Sequence, residues 1–341
     1  MPSVAPIGLD IGSASIQAVE VTRNKEKPVI CNYGQALLPD GAMVGGVVKD
    51  ERAVTNALRQ LWTSHDFGSK SVVLGVSHQQ VVVREVEISN LPPKELRQAL
   101  PFLVRDVLPL PVEEAMLDFY RLEDAGNADT VRGLLIAAPK EAVVDTVRAV
   151  ERAGLHVEQV DLSCFAALRA AAHPNRDTEA VIDIGARTTN IIIHTDGVPH
   201  IVRTIPRGGD EITALMASRL GMSVAEAESL KCRVGMIPGE GPEVAEVAAE
   251  ALRALIGEIR SSVSYYTSAQ PGRSVARLGL VGGGAQLPGL INAIAQILNV
   301  PTYLANPLQH VGDSREGGRH DILSRFRSSA AVSIGLTLGA A

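Results

Sequence analysis

The pattern of hydrophobic and polar positions predicts strands with helices between them. Two valine-rich runs, 71–76 and 79–88, are typical of strands, and the second alternates in polarity. Residues 141–153 instead repeat their valines at helical spacing and end before Gly154. Short strands that alternate with helices indicate an α/β or α+β fold.

Two further segments are predicted to be helical. Residues 244–269 have an apolar stripe at helical spacing and predict one long helix. Residues 90–119 begin with prolines suited to a helix start, and Pro101 is expected to kink the helix or shift its start because its ring removes a backbone donor. The apolar side of this segment carries Leu96, Leu100, Leu103 and Val107. Two interpretations stay open, an amphipathic core helix and a groove that binds a partner.

One motif occurs twice. The stretches "IGLDIGSASIQAVEV" (7–21) and "AVIDIGARTTNIIIH" (180–194) share an apolar strand, Asp-Ile-Gly, a polar turn and a second apolar strand. Their aspartates, Asp10 and Asp183, lie about half the chain apart. This duplication predicts two related lobes with matched loops on either side of a cleft.

The chemistry of these loops suits phosphate. A tight turn without large side chains lets phosphate oxygens reach backbone N–H groups. A neighbouring carboxylate can hold the water shell of Mg²⁺. The alternative for each motif alone is a hairpin whose aspartate accepts local backbone hydrogen bonds. A third stretch, "LGLVGGGAQLPGL" (278–290), has a strand, three glycines and a helix, so its backbone could lie flat against a nucleoside.

Composition narrows the class of protein. The 341 residues, 46% hydrophobic and 21% charged, predict a folded chain of about two lobes. The net charge of −6 without a dense Lys/Arg cluster disfavours nucleic acid and anionic membranes as partners. The three cysteines are far apart, which fits neither a zinc site nor a disulfide framework and suggests a reducing compartment. No signal peptide or long apolar run is found, so a cytosolic chain is expected unless a partner holds it at a membrane.

Together these motifs resemble the actin-like ATPase superfamily and, within it, the PilM family of type IV pilus assembly proteins, which is similar to the cell-division protein FtsA. The resemblance spans nearly the whole chain and includes "LPPKELRQAL", "IPRGGDEIT", "AEAESLK" and "AVSIGLTLG". It implies an α/β, actin-like (ribonuclease H-like) two-lobed ATPase fold with an FtsA-like extra subdomain. The expected first lobe is 1–75 with 155–176, the inserted subdomain 76–154, and the second lobe 177–341 with a smaller subdomain at about 210–272.

The resemblance also implies a site for ATP and Mg²⁺. The residues expected at the phosphates are Asp10, Gly12, Ser13, Gln17, Asp183, Gly185 and Thr188, with the metal held by Asp10 and Asp183 through water. The residues expected around the rest of the nucleotide are Gly208, Gly209, Glu228, Lys231, Gly282, Gly283 and Gly284.

One position departs from the family. Many relatives carry a lysine where this chain has Gln17, and glutamine supplies no positive charge for phosphoryl transfer. Arg187 is a candidate to compensate, or a solvent-facing turn residue. Asp161 is the candidate to position water. Binding of ATP is therefore expected more than its rapid hydrolysis.

The implied partners are the cytoplasmic tail of a PilN-like membrane protein and other platform proteins, with homo-oligomers left open. The tail is expected between the first lobe and residues 76–154, near Leu96, which places a cytoplasmic protein at the inner face of the membrane. One alternative is a small-molecule kinase of the same fold. Another is an FtsA-like division protein, which usually ends in a basic amphipathic helix, whereas this sequence ends in "GLTLGAA".

Overall fold

The first lobe is built on a mixed six-stranded sheet. The computed structural model describes residues 6–23, 27–122, 129–313 and 328–339. In chain order the strands of this sheet are β1 (Ile7–Ile11), β2 (Ser15–Arg23), β3 (Pro28–Leu37), β6 (Ser71–Val76), β10 (His156–Leu162) and β16 (Gly312–Asp313). Their spatial order is β10-β6-β1-β2-β3-β16. The β1–β2 and β2–β3 pairs are antiparallel, and β6 and β10 continue the sheet in parallel.

The second lobe repeats this topology. Its strands are β11 (Thr178–Ile184), β12 (Thr189–Thr195), β13 (Val198–Ile205), β14 (Arg277–Val281) and β15 (Thr302–Leu304), in the order β13-β12-β11-β14-β15. Again a hairpin is extended by an antiparallel strand on one side and by two parallel strands on the other. The sequence duplication is thus a duplication of structure.

The remaining strands form two smaller sheets. An antiparallel sheet of β7 (Val82–Ser89), β8 (Ala115–Arg121) and β9 (Thr130–Pro139) has β9 at its centre. A short hairpin joins β4 (Met43–Val44) to β5 (Val47–Val48). Its two connecting residues, Gly45 and Gly46, both have positive φ, as a two-residue hairpin turn requires.

The helices of the described residues are α1 (Glu51–Ser64), α2 (Pro93–Leu103), α3 (Lys140–Arg152), α4 (Ser163–Ala171), α5 (Gly209–Leu220), α6 (Val224–Val234), α7 (Pro242–Ala269), α8 (Leu290–Leu298) and α9 (Ala331–Gly339). None of them is long and apolar enough to cross a membrane. The helices predicted at 141–153 and 244–269 are confirmed as α3 and α7.

Helices α4 and α9 lie between the two sheets. Their small residues share one buried cluster with Val73 of the first sheet and Val181 of the second. Close approach explains the glycine in α9, because a Cβ on Gly335 would lie 1.8 Å from the carbonyl oxygen of Ala166 in α4. The two helices therefore join the lobes below the cleft.

The prediction for 90–119 is correct in part. Leu96 and Leu100 are 6% and 3% exposed and pack with β7 and β9 in the core of the inserted sheet. Leu103 and Val107 are 38% and 40% exposed, and the buried position after the end of α2 at Leu103 is Val104 instead. Leu96 therefore packs against β7 and β9, where it also lines a cavity of about 510 Å³, and the position of the partner tail stays a prediction.

Candidate functional site

The two Asp-Ile-Gly motifs form the same turn. The N–H of Gly12 donates to the carbonyl of Ser15 at 3.0 Å, and the N–H of Gly185 donates to the carbonyl of Thr188 at 2.9 Å. A Cβ at either glycine would lie within 3.1 Å of the accepting oxygen, so a side chain would strain the turn. Each motif thus places an aspartate at the end of a buried strand and small residues beside it.

One cavity of about 220 Å³ lies between the two turns. Residues predicted to bind the cofactor and found in its lining are Asp10, Gly12, Ser13, Gln17, Asp183, Gly185, Thr188, Gly282 and Gly283. Lining residues that the sequence did not single out include Gln35, Met43, Gly46, Ser77, Ser163, Asn190, Ser329 and Val332. Both lobes contribute residues to the lining of the cavity, as the duplicated motif predicts.

The carboxylates give the cavity its electrostatic character. Burial and the nearby charge of Asp183 raise the pKa of Asp10 to about 7. Burial also raises the pKa of Asp183 to about 6, against the opposing effect of a hydrogen bond from Asn190. Among the described lining residues two are acidic and none is Lys, Arg or His. The cavity is therefore negatively charged when both carboxylates are ionised, which favours a cation.

Mg²⁺ fits this donor set. It commonly binds through one or two carboxylates while keeping several waters, and phosphate oxygens complete its shell. No group of three or more His, Cys, Asp or Glu that could hold a metal occurs in the described ranges. The paired carboxylates and the outward N–H groups of the turns suit a metal that arrives with a phosphate ligand.

An amide side chain lies opposite each aspartate in the hairpins. Asp10 pairs with Gln17 across β1 and β2, and Asp183 pairs with Asn190 across β11 and β12. The amide of Asn190 donates to Oδ2 of Asp183 at 3.4 Å, and its oxygen accepts from Thr204 Oγ1 at 2.8 Å. Asn190 was missed, although the second copy of the motif marks it at the same seven-residue spacing as Gln17.

The second turn is supported by the start of α5. The N–H of Gly209 donates to the carbonyl of Gly185 at 3.0 Å, and the N–H of Asp210 donates to Ala186 at 2.8 Å. A Cβ on Gly208 would lie 2.4 Å from the oxygen of Gly185. Gly208 and Gly209 thus pack against the backbone of the second turn.

Arg187 joins the second turn to both lobes. Its Nε donates to Asp210 at 2.9 Å within the second lobe, and its guanidinium also pairs with Asp40 of the first lobe. The side chain is therefore engaged in ion pairs at the edge of the cleft.

The three glycines after β14 have different environments. Gly282 has φ +88°, and a Cβ there would lie 2.5 Å from Oδ1 of Asp183. A Cβ on Gly284 would lie 2.5 Å from Cγ2 of Ile184, whereas a Cβ on Gly283 would meet no atom of the described residues within 4 Å. Gly282 and Gly284 therefore permit close packing on β11, and Gly283 faces the cavity.

Glu228 and Lys231 form a polar cluster behind α5. Lys231 Nζ donates to Glu228 at 2.6 Å, to Thr213 Oγ1 at 2.9 Å and to the carbonyl of Gly209 at 3.3 Å. Burial raises the pKa of the Glu228 carboxylate, but the hydrogen bonds from Lys231 and Thr213 and the charge of Lys231 together outweigh it, so that the pKa is lowered. Both residues lie outside the described lining of the cavity.

Asp161 also lies outside the described lining. Its carboxylate forms an ion pair with Arg169 and accepts the N–H of Leu162 at 2.7 Å. Ser163, at the start of α4, reaches the cavity from this end of β10.

A second, narrower groove adjoins the cavity. It lies between β6, the β4–β5 hairpin, the end of β9 and the start of α3, and it is lined by Ile11, Met43, Gly46, Gly75, Val76, Ser77, His78, Val81, Ala138, Pro139, Ala142, Val143 and Thr146. Its volume is about 20 Å³. We call it the insert groove. It occupies the boundary where the sequence predicted a partner tail.

The duplicated sheets and the two facing turns define the class of protein as an actin-like ATPase fold. MreB5 of Spiroplasma citri bound to ADP shares this fold, with a TM-score of 0.55 and 15% identity over 98% of this chain and 96% of that one. The model of the family "Type IV pilus assembly protein PilM" matches residues 8–341. The chain belongs to this family, as the sequence motifs predicted.

Two further comparisons agree with this assignment. The structure resembles that of the PilM-PilN type IV pilus biogenesis complex, with a TM-score of 0.87 and 26% identity over 99% of each chain. The cell-division protein FtsA of Escherichia coli K12 is 26% identical, over 90% of this chain and 85% of FtsA. Family membership gives the chain a role in type IV pilus assembly.

Proposed function

We propose that this chain is an ATP-binding assembly protein of the type IV pilus inner-membrane platform that binds the cytoplasmic tail of a PilN-like membrane protein. The observation that carries the nucleotide part is the pair of matched turns, which present Asp10 and Asp183 to one cavity from opposite lobes. In this arrangement both carboxylates hold Mg²⁺ through water, and the turns donate backbone N–H groups to the phosphates.

The nucleotide proposal is tested by calorimetric titration of the purified chain. Mg-ATP is expected to bind in the low micromolar range or tighter, about −8 kcal/mol. ATP with excess EDTA is expected to bind at least tenfold more weakly, since the lining has no cationic side chain in the described residues. Equal affinity with and without Mg²⁺ would contradict the metal site.

Hydrolysis is expected to be slow. Gln17 stands at the lysine position of many relatives and is buried, with its Oε1 accepting from the hydroxyl of Tyr33 at 3.4 Å. The candidate water-positioning residue Asp161 is paired with Arg169. We expect turnover below about one per minute, against roughly ten per second for typical enzymes. Several turnovers per second, or a large increase with candidate sugars, would favour the kinase alternative.

The partner proposal rests on the insert groove and on the likeness to the PilM-PilN complex. A tail of about a dozen residues can bind there as an extended peptide, with apolar side chains against Val81 and Val143. Binding of this kind would hold the chain at the inner face of the membrane without a membrane span of its own.

A matched pair of variants tests the groove. Val81→Glu places charge in its lining, whereas Val144→Glu makes the same change at a 39% exposed position of α3 outside that lining. The first is expected to weaken tail binding at least tenfold and the second less than threefold, with Mg-ATP affinity unchanged in both. Equal tail binding by both folded variants would place the tail elsewhere.

A further inference from the structure

A row of polar side chains crosses the sheet of the second lobe at the level of the cavity carboxylate. Asp183 on β11 pairs with Asn190 on β12, and Asn190 pairs with Thr204 on β13. Residues directly opposite each other on neighbouring strands have adjacent side chains on one face of the sheet. The row therefore connects Asp183 at the cavity to a threonine two strands away.

Hydrogen bonds join the three side chains. Thr204 Oγ1 donates to Oδ1 of Asn190 at 2.8 Å, and Nδ2 of Asn190 donates to Oδ2 of Asp183 at 3.4 Å. An ionised carboxylate only accepts hydrogen bonds, so the amide nitrogen must face Asp183 and the amide oxygen must face Thr204. The hydroxyl of Thr204 is thus the donor that matches this orientation of the amide.

Asn190 has little access to water. Its exposed fraction is 4%, and its oxygen also accepts from Ser77 Oγ at 3.3 Å, which is a long bond. A buried polar group that loses a partner does not readily replace it with water. The shorter bond from Thr204 is therefore the main constraint on the amide oxygen.

Both oxygens of the Asp183 carboxylate have defined surroundings. Oδ2 accepts from Asn190, and Oδ1 lies against Gly282, where a Cβ would come within 2.5 Å of it. Carboxylates that hold a metal are themselves oriented by hydrogen bonds from residues behind them. Asn190 and, through it, Thr204 occupy that position behind Asp183.

The matching row of the first lobe is bonded differently. Asp10 pairs with Gln17, and Gln17 pairs with Gln35 on β3. Gln35 Nε2 donates to Ser15 Oγ at 3.1 Å, and Gln17 Oε1 accepts from the hydroxyl of Tyr33 at 3.4 Å. Neither of these bonds reaches Asp10. The two lobes therefore share the row but differ in what it does for the aspartate.

We propose that Thr204 is a positioning residue for the metal site: its hydroxyl orients the amide of Asn190, which holds the Asp183 carboxylate in place to bind the water shell of Mg²⁺. The inference rests on the proposed function, which supplies the metal and the nucleotide. Thr204 lies outside the described lining of the cavity, so its effect on the ligand passes through Asn190.

The test is calorimetric titration of the full chain with Mg-ATP and, separately, with ATP in excess EDTA. Thr204→Val removes the hydroxyl and keeps the branched shape, and it is expected to weaken Mg-ATP binding at least about threefold while ATP in EDTA changes less than about twofold. Thr204→Ser restores a hydroxyl and is expected to bind Mg-ATP within about twofold of wild type. Thr204→Ala gives the same comparison if the valine variant does not fold.

A matched control removes a threonine hydroxyl from the far end of the same hairpin. Thr178 begins β11, and its Oγ1 forms a hydrogen bond with Thr195 Oγ1 at 3.0 Å. Thr178→Val is expected to keep the Mg-ATP affinity of wild type, and melting curves check the fold of every variant.

A double variant tests whether Thr204 acts through Asn190. On the background of Asn190→Ala, Thr204→Val is expected to weaken Mg-ATP binding by less than about 1.5-fold further, because residues of one network are not additive. A full additional loss in the double variant would show that Thr204 acts by another route and would overturn the inference.

The remaining outcomes separate this inference from the proposed function. Wild-type chain that binds ATP equally with and without Mg²⁺, or not at all, would overturn the metal site and the inference together. Magnesium-dependent binding in wild type with unchanged Mg-ATP affinity in a folded Thr204→Val variant would overturn the inference alone. Equal weakening with and without Mg²⁺, or no rescue by Thr204→Ser, would do the same, since a merely structural role has those results.

Discussion

The two turns have the same sequence pattern but different supports. The second turn is attached to the start of helix α5 through the N–H groups of Gly209 and Asp210. The first turn is attached to the loop after β3, where the N–H of Leu38 donates to the carbonyl of Ala14 at 2.9 Å. A turn bonded to a helix is expected to open less readily than a turn bonded to a glycine-containing loop, because helices have higher local stability than loops. We therefore expect the second turn to be held more rigidly than the first.

The largest expected effect comes from disturbing the helix support. Gly208→Ala brings a Cβ to 2.4 Å from the oxygen of Gly185 and 2.6 Å from that of Ala186, both backbone atoms. We expect a loss of about 3 kcal/mol in the free energy of unfolding, measured by denaturant titration. Gly239→Ala is the control, since a Cβ there has no neighbour within 4 Å among the described residues. Equal stability of the two variants would show that the second turn is not fixed by α5.

Removal of each carboxylate tests whether the turns share the metal equally. Asp10→Ala and Asp183→Ala are each expected to weaken Mg-ATP binding at least tenfold, about 1.4 kcal/mol, because each removes one side of the metal shell. Calorimetric titration measures the loss, and circular dichroism confirms the fold of each variant. Unchanged affinity in a folded Asp10→Ala variant would refute the two-turn site.

The sequence predicted the turns well because their chemistry is local. Asp-Ile-Gly and its strand are contiguous, and the second copy placed the other half of the site without any knowledge of packing. Ser77 could not be found as a lining residue in this way, since its place at the cavity depends on contacts with Gly46 and Asn190, which are distant in sequence. The apolar stripe at 90–119 predicted the burial of Leu96 correctly, but it chose Leu103 and Val107 where the chain buries Val104 instead, because α2 ends at Leu103 and the helical spacing does not continue.

The pH dependence of metal binding sharpens the comparison between the two aspartates. The pKa of Asp10 is raised to about 7 and that of Asp183 to about 6, so protons compete with Mg²⁺ as pH falls. We expect Mg-ATP affinity to fall about tenfold between pH 8 and pH 6, mainly through Asp10. Asp10→Ala should flatten this dependence, and a titration series in one buffer system measures it.

The same raised pKa values also affect the free energy of unfolding without metal, which we expect to fall as pH rises. A carboxyl whose pKa is higher in the folded than in the unfolded chain binds its proton more tightly when folded. Its contribution is therefore most favourable at low pH and is lost as pH rises from about 4 through 7. Asp10→Asn should be more stable than wild type at pH 8 without Mg²⁺, and this difference should shrink at pH 5. A variant less stable than wild type at both pH values would contradict the unfavourable burial of the ionised Asp10 carboxylate.

The smallest expected effect concerns the ion pair between Arg187 of the second turn and Asp40 of the loop after β3. Arg187 pairs with Asp40, whose side chain is 86% exposed, and solvent screens such a pair strongly. Arg187→Ala and Asp40→Ala are each expected to change Mg-ATP affinity less than threefold, and a double-mutant cycle should give a coupling energy below about 1 kcal/mol. If Arg187 instead supplies the charge that Gln17 lacks, Arg187→Ala will weaken Mg-ATP binding at least tenfold while Asp40→Ala leaves it unchanged. That asymmetry would show that the second turn provides a phosphate-binding cation in addition to a platform.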